Sequence, residues 1–162
     1  MKHTKKLVAL VLLLGVVLLG ATTFAAAPYE IKWYFIGNGQ QPDVKLVEEA
    51  ASKYIQKKGL NATLKMQCYT WGDEYDNRMR MIIASGEKFD ICFTSSWANL
   101  YKVNVARGAF LDITDLWKKY APKTRAQLHP AFITGSAIDG RNYAIPANKE
   151  LAHQWGFWFN KN

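Results

Sequence analysis

Between Ile31 and Ala106 the chain alternates short apolar runs, rich in β-branched and aromatic residues, with longer amphipathic stretches. Ile31 to Ile36 reads as a strand and is stopped by Gly37-Asn-Gly39. Pro42 then stands where a first helical turn tolerates it, and Val44, Val47, Ala51, Tyr54 and Ile55 mark one face of a helix ending at Gly59. Ala62 to Tyr69 is a second strand. Trp71-Gly72-Asp73 breaks it, and Asp73 is placed to cap a helix carrying Tyr75, Met79, Ile82 and Ile83 towards the sheet, stopped by Gly86. Phe89 to Phe93 forms a third strand, followed by a helix from Ser95 to Ala106. Two-residue periods punctuated by helical ones admit few architectures. The expectation is α/β, with an open, mostly parallel sheet flanked by helices.

In such a sheet, ligands bind beyond the carboxyl ends of the strands, where the connecting loops meet. Here those loops are Gly37 to Gln41, Thr70 to Tyr75 and Thr94 to Trp97. They carry amides (Asn38, Gln40, Gln41), a carboxylate (Asp73), hydroxyls (Ser95, Ser96) and two indoles (Trp71, Trp97). Thr94-Ser95-Ser96, read at a helix N-terminus, would add unpaired backbone N–H groups. Amides and carboxylates pair with vicinal hydroxyls, and an indole face packs on the C–H side of a pyranose. The inventory suits a sugar. A charged amino acid would call for an Arg or Lys among these residues, and there is none. The plainer readings are helix caps for Asp73 and Ser95, core packing for the two tryptophans, and turn residues for Asn38 and Gly39.

The amino terminus reads as an export leader: Lys2, Lys5 and Lys6, an apolar stretch from Leu7 to Gly20, then small residues to Ala27. Thr23-Phe24-Ala25 fits a small-x-small rule, which sets residues 1–25 as the signal peptide and 26–162 as the mature part. An uncleaved anchor is the alternative, since uncharged residues continue to Tyr29. Three of the 21 basic residues lie in the leader, so its removal lowers the net charge from +8 to +5 against 13 acidic residues. The remaining cations are dispersed, which together with export argues against nucleic acid. His3, His129 and His153 are isolated, no cysteine stands at ligand spacing to them, and no phosphate loop or nucleophile elbow appears, so neither metal nor cofactor is expected. Asp73, Glu74 and Asp76 could be proposed as paired acids for glycoside hydrolysis. A first helical turn accounts for them more simply through the macrodipole.

Beyond Gly108 the pattern is irregular. Gly108 to Leu116 reads as a turn and a short helix capped by Asp112 or Thr114, and Pro122 and Pro130 bracket another from Thr124 to Leu128. Ser136 to Pro146 is a small hairpin turning at Asp139-Gly140. A last strand, Trp155 to Asn160, is followed by neither cap nor helix, as in a segment of a longer protein.

Four features in order now resemble the N-terminal lobe of bacterial extracellular solute-binding proteins, the receptors of ABC importers, and within them the oligosaccharide-type lipoprotein group. They are Lys32 to Gly37, Phe89 to Asn99, Gly108 to Leu116, and Asp139 to Pro146 leading to Trp158-Phe-Asn-Lys161. The resemblance implies carbohydrate binding for uptake, a permease partner in the membrane, a monomer, and ligand contacts from Asn148 and Glu150 near a hinge. It also implies a lipid anchor on a cysteine, but Ala21 follows Leu18-Leu19-Gly20, which leaves secretion or retention through the leader. The implied strand order, 2-1-3 at the start of the sheet, places the first strand between Cys68 and Cys92. Two strand spacings of about 4.8 Å exceed the roughly 7 Å that a disulfide tolerates, so two free, buried thiols are expected. The alternatives to a solute receptor are an exported α/β hydrolytic enzyme and a ligand-sensing domain without a transport role.

Overall fold

The computed structural model describes residues 26–149 and Asn160; the leader, Glu150 and the expected last strand lie outside the described residues. The order is β1 (Tyr29–Gly37), α1 (Val44–Lys57), β2 (Ala62–Thr70), α2 (Asp73–Ser85), β3 (Ile91–Cys92), α3 (Tyr101–Ala106), α4 (Thr114–Tyr120), α5 (Pro122–Gln127), α6 (Pro130–Gly135), β4 (Ala137–Ile138) and β5 (Arg141–Asn142). The first three strands form one sheet in the order β2-β1-β3. β3 runs parallel to β1, with Trp33 opposite Ile91 and Tyr34 opposite Cys92. Two compact units divide the described residues, and β1 and β2 each pass through both: one holds 26–31 with Asp43–Lys65, the other Lys32–Pro42 and 66–149.

The first unit is organised by polar pairing. Val44, Ala51 and Ile55 turn inward as expected, but Val47 and Tyr54 are exposed and Glu48 is buried in their stead. The cause lies on β2. Lys65 Nζ reaches the Glu48 carboxylate at 3.3 Å. Ser52 Oγ accepts the Leu64 N–H at 2.9 Å and donates to the Glu48 carbonyl. Buried polar groups hold their place when partnered, and these partners rotate the helix away from its most apolar face.

In the second unit Tyr34, Tyr75, Met79, Ile82 and Ala98 form the core, with Ile36, Tyr69, Phe89 and Phe93 packed around it. Tyr75, Met79 and Ile82 are completely buried, spaced i, i+4, i+7 on α2. Ile83 belongs elsewhere: it is half-buried on the wall of a cleft of about 410 Å³ that also presents Arg80, Leu100, Val103 and Arg107. The expected α2 stop is present, with Gly86 in the left-handed region at φ 71°. The hairpin turns at Asp139 and Gly140, both at positive φ. Asp112 accepts the Thr114 N–H and hydroxyl ahead of α4 and pairs with Arg141 on the hairpin. One further short helix, α6, was not foreseen; Pro130 opens it while His129 Nδ1 accepts the Ala131 N–H.

Cys68 and Cys92 are free. Each is half-buried rather than fully enclosed. The Cys68 sulfur sits so near Gly37 that a Cβ there would stand 2.9 Å from it, which keeps glycine at the end of β1. Burial pushes the Cys92 thiol up to about 12, opposed by a hydrogen bond from Asn99. Thiol titration should count two cysteines in denaturant without reductant, with Cys92 reacting slowly in the native protein because so little thiolate is present. A count of zero would overturn the strand order.

Candidate carbohydrate site

Three loops leave the carboxyl ends of β1, β2 and β3, and each is held by its own side chains. In the first, Asn38 makes a backbone bridge to Thr70, and Gly39 takes a φ of 81° to make the turn. Gln41 Nε2 donates to the carbonyls of Asn38 and Gly39. Gln40 lies along β2: its Nε2 donates to the Met66 carbonyl at 3.1 Å and its Oε1 accepts the Cys68 N–H at 2.8 Å. Both ends of that amide are spent on the strand.

The second loop is Trp71-Gly72. Asp73 does not cap α2; the N-cap is Gly72, at φ 85°, and no side chain caps it. Glu74 closes the turn instead, its carboxylate accepting the Thr70 N–H at 2.9 Å and the Thr70 hydroxyl. The hydroxyl's donation holds the Glu74 carboxyl below its usual range. Asp73, first residue of the helix, is left exposed.

The third loop departs most from expectation. No helix starts at Ser95; α3 begins at Tyr101. Ser95 Oγ accepts the N–H groups of Trp97 and Ala98, at 3.2 and 2.9 Å, which draws the backbone into a turn before a helix can form. Asn99 then takes a φ of 47°, a region that asparagine tolerates better than most residues. It is fixed from several sides: Asp76 Oδ1 accepts its N–H, its own Nδ2 donates to the Phe93 carbonyl, and Thr94 Oγ1 donates to its carbonyl. Beneath the loop, the buried Tyr75 hydroxyl donates to the Phe93 carbonyl at 2.6 Å. Burial raises that phenol's pKa.

These braces bring the two indoles together. The Trp71 and Trp97 rings lie 6.0 Å apart, centroid to centroid, at 25° to each other. Phe93 supports Trp97 from 5.7 Å. Neither indole is core: Trp71 is 58% exposed and Trp97 59%. Trp71 Nε1 donates to Asn38 Oδ1 at 3.0 Å, so all three loops join in one cluster. Ser96 is exposed next to Trp97 in sequence, and Ser95 is spent within its turn. Asn148 is exposed beyond β5, and Glu150 lies outside the described residues. Sequence reasoning gave Phe93, Glu74 and Asn99 no part in shaping the cluster: Phe93 read as a strand end, Glu74 as a first-turn acid and Asn99 as part of a motif. An asparagine two places after Trp97 was the one local signal, since asparagine tolerates the left-handed region. Among the described residues no group of three or more His, Cys, Asp or Glu could hold a metal ion.

A carbohydrate ABC transporter substrate-binding protein of Streptococcus pneumoniae is 38% identical to this chain over 130 residues. That match takes in 80% of the chain. The chain is related to the solute-binding proteins of ABC importers. It spans about a quarter of that relative, 25% of its length. The crystal structure of an N-glycan transport solute-binding protein, NgtS, from the same species superposes with a TM-score of 0.64 at 36% identity, over 73% of this chain and 25% of that one. A second NgtS structure, in complex with Man1GlcNAc, matches with a TM-score of 0.62 at 34% identity, over 72% of this chain and 24% of that one. No family model matches the chain. The three-stranded sheet with its flanking helices thus has the fold of part of a solute-binding-protein lobe.

Proposed function

We propose that the chain is the N-terminal lobe of an extracytoplasmic receptor that binds an oligosaccharide for import, without turning it over. The observation carrying this reading is the pair of exposed indoles at the carboxyl ends of three adjacent strands. An aromatic face exposed to this degree costs hydration unless something apolar covers it, and the C–H face of a pyranose is such a cover. Asp73 and Ser96, exposed on the flanking loops, supply the acceptor and donor that a sugar's hydroxyls need. The solved relative's complex with Man1GlcNAc supports a short oligosaccharide of N-glycan type as the solute. Asn38 and Gln40 hold the loops in shape, and Asn148 and Glu150 are proposed contacts from the hinge side. An ABC permease is the partner, residues 1–25 serve as the export signal, and the protein acts as a monomer. No helix of the described residues is long and apolar enough to cross a membrane.

Calorimetry against mannose- and N-acetylglucosamine-containing oligosaccharides, with chromatography of the same mixtures, tests the proposal. Saturable binding with unchanged sugar is the expected result. Release of shorter sugars would favour the exported hydrolase, and binding unaffected by loss of both indoles would place the site elsewhere.

A further inference from the structure

We infer that Asn38 is a positioning residue for the sugar platform: its side-chain oxygen sets the Trp71 indole against Trp97. The inference rests on the reading of that pair as the carbohydrate site. An indole more than half exposed has too few packed neighbours to hold one rotamer by contact alone. Its one polar atom settles the orientation. Trp71 Nε1 donates to Asn38 Oδ1 at 3.0 Å, from a residue 33 positions earlier in the chain. Asn38 can serve as a fixed point because its own backbone is bridged to Thr70 and its carbonyl accepts from Gln41. Gln40, clamped on Met66 and Cys68, holds the same loop against β2.

The arrangement has a chemical consequence. The indole N–H is occupied, so Trp71 offers a ligand its π face and no donor. The platform therefore reads the C–H side of a pyranose, and recognition of hydroxyls falls to the neighbouring loops. Sugars with an unbroken apolar face are favoured over those whose axial hydroxyls interrupt it.

The test uses the 162-residue chain and a direct probe of ring geometry. Coupled indoles give an exciton band in circular dichroism, assigned here through its loss in Trp71→Ala and in Trp97→Ala. Asn38→Ala should lose most of that band, with Asn38→Ser, too short to reach the indole, as a second variant if the first does not fold. Asn38→Asp should retain it, because a carboxylate accepts the same N–H. A full-strength band in a folded Asn38→Ala or Asn38→Ser overturns the inference, as does its loss in folded Asn38→Asp. Titration with the Man-GlcNAc disaccharide, followed by NMR, should show Asn38→Ala weaker by about two- to tenfold, the equivalent of one ordinary hydrogen bond, and Asn38→Asp restored. If Trp71→Ala binds the disaccharide as wild type does, the carbohydrate reading fails, whatever the band shows about Asn38.

Discussion

Ile82→Asp should leave no cooperatively folded protein. Ile82 is completely buried between Tyr75, Met79 and the sheet, and its side chain contributes to the core that supports all three site loops. Truncating a buried isoleucine costs about 2–5 kcal/mol. An unpaired carboxylate in its place adds a further penalty of several kcal/mol, whether it ionises or is held neutral. Together these reach the whole stability of an ordinary domain, about 5–15 kcal/mol. The informative control is its neighbour. Ile83→Asp puts the same carboxylate on the wall of an open cleft that also presents Arg80 and Arg107, where water and two guanidiniums can receive it. That variant should fold, with a thermal midpoint lowered by only a few degrees. Thermal unfolding by circular dichroism separates the two. A soluble Ile82→Asp with the wild-type midpoint would mean the core is drawn wrongly.

Binding by these 162 residues should be weak, and weaker still once either indole is removed. The chain spans a quarter of the length of its relatives. A receptor that encloses its ligand between two lobes buries most of the ligand surface, and one lobe leaves the far hydroxyls in water. If a full-length receptor binds at micromolar strength, about −8 kcal/mol, half of that corresponds to a dissociation constant near the millimolar range. The costs of association are not halved with the contacts, which weakens it further. Trp97→Ala removes a face of the platform and should cost at least about tenfold, near 1.4 kcal/mol. Asp73→Ala should weaken binding in the same direction. Calorimetry or NMR titration of the three proteins is decisive. Micromolar binding by the wild-type chain would show that these loops suffice without a second lobe, and equal affinity for Trp97→Ala would remove the platform from the site.

The element order from Tyr29 to Cys92, the stop at Gly86 and the turn at Asp139-Gly140 were all legible in the sequence. Each depends on short-range physics: side-chain period, the left-handed tolerance of glycine, and β-branched content. So was the meeting of the three loops, because loops beyond the carboxyl ends of adjacent parallel strands lie side by side. Fold class followed from the residues alone. What the sequence left open depended on partners far along the chain. Val47 and Glu48 are neighbours, and nothing local says which turns inward until Lys65 and Leu64 stand opposite. Ile82 and Ile83 are equal in hydrophobicity, and packing against Tyr34 and Tyr75 chose between them. Helix α3 starts late because the Ser95 hydroxyl takes the amides that would have opened it, and because Asp76, 23 residues earlier, holds Asn99 in the left-handed region. The platform itself is tertiary. Trp71 and Trp97 were candidate core residues as much as candidate ligands, until Asn38 and Phe93 held their rings together in solvent. Periodicity reports a residue's own preference, whereas orientation is set by hydrogen bonds and contacts that exist only after the strands have paired.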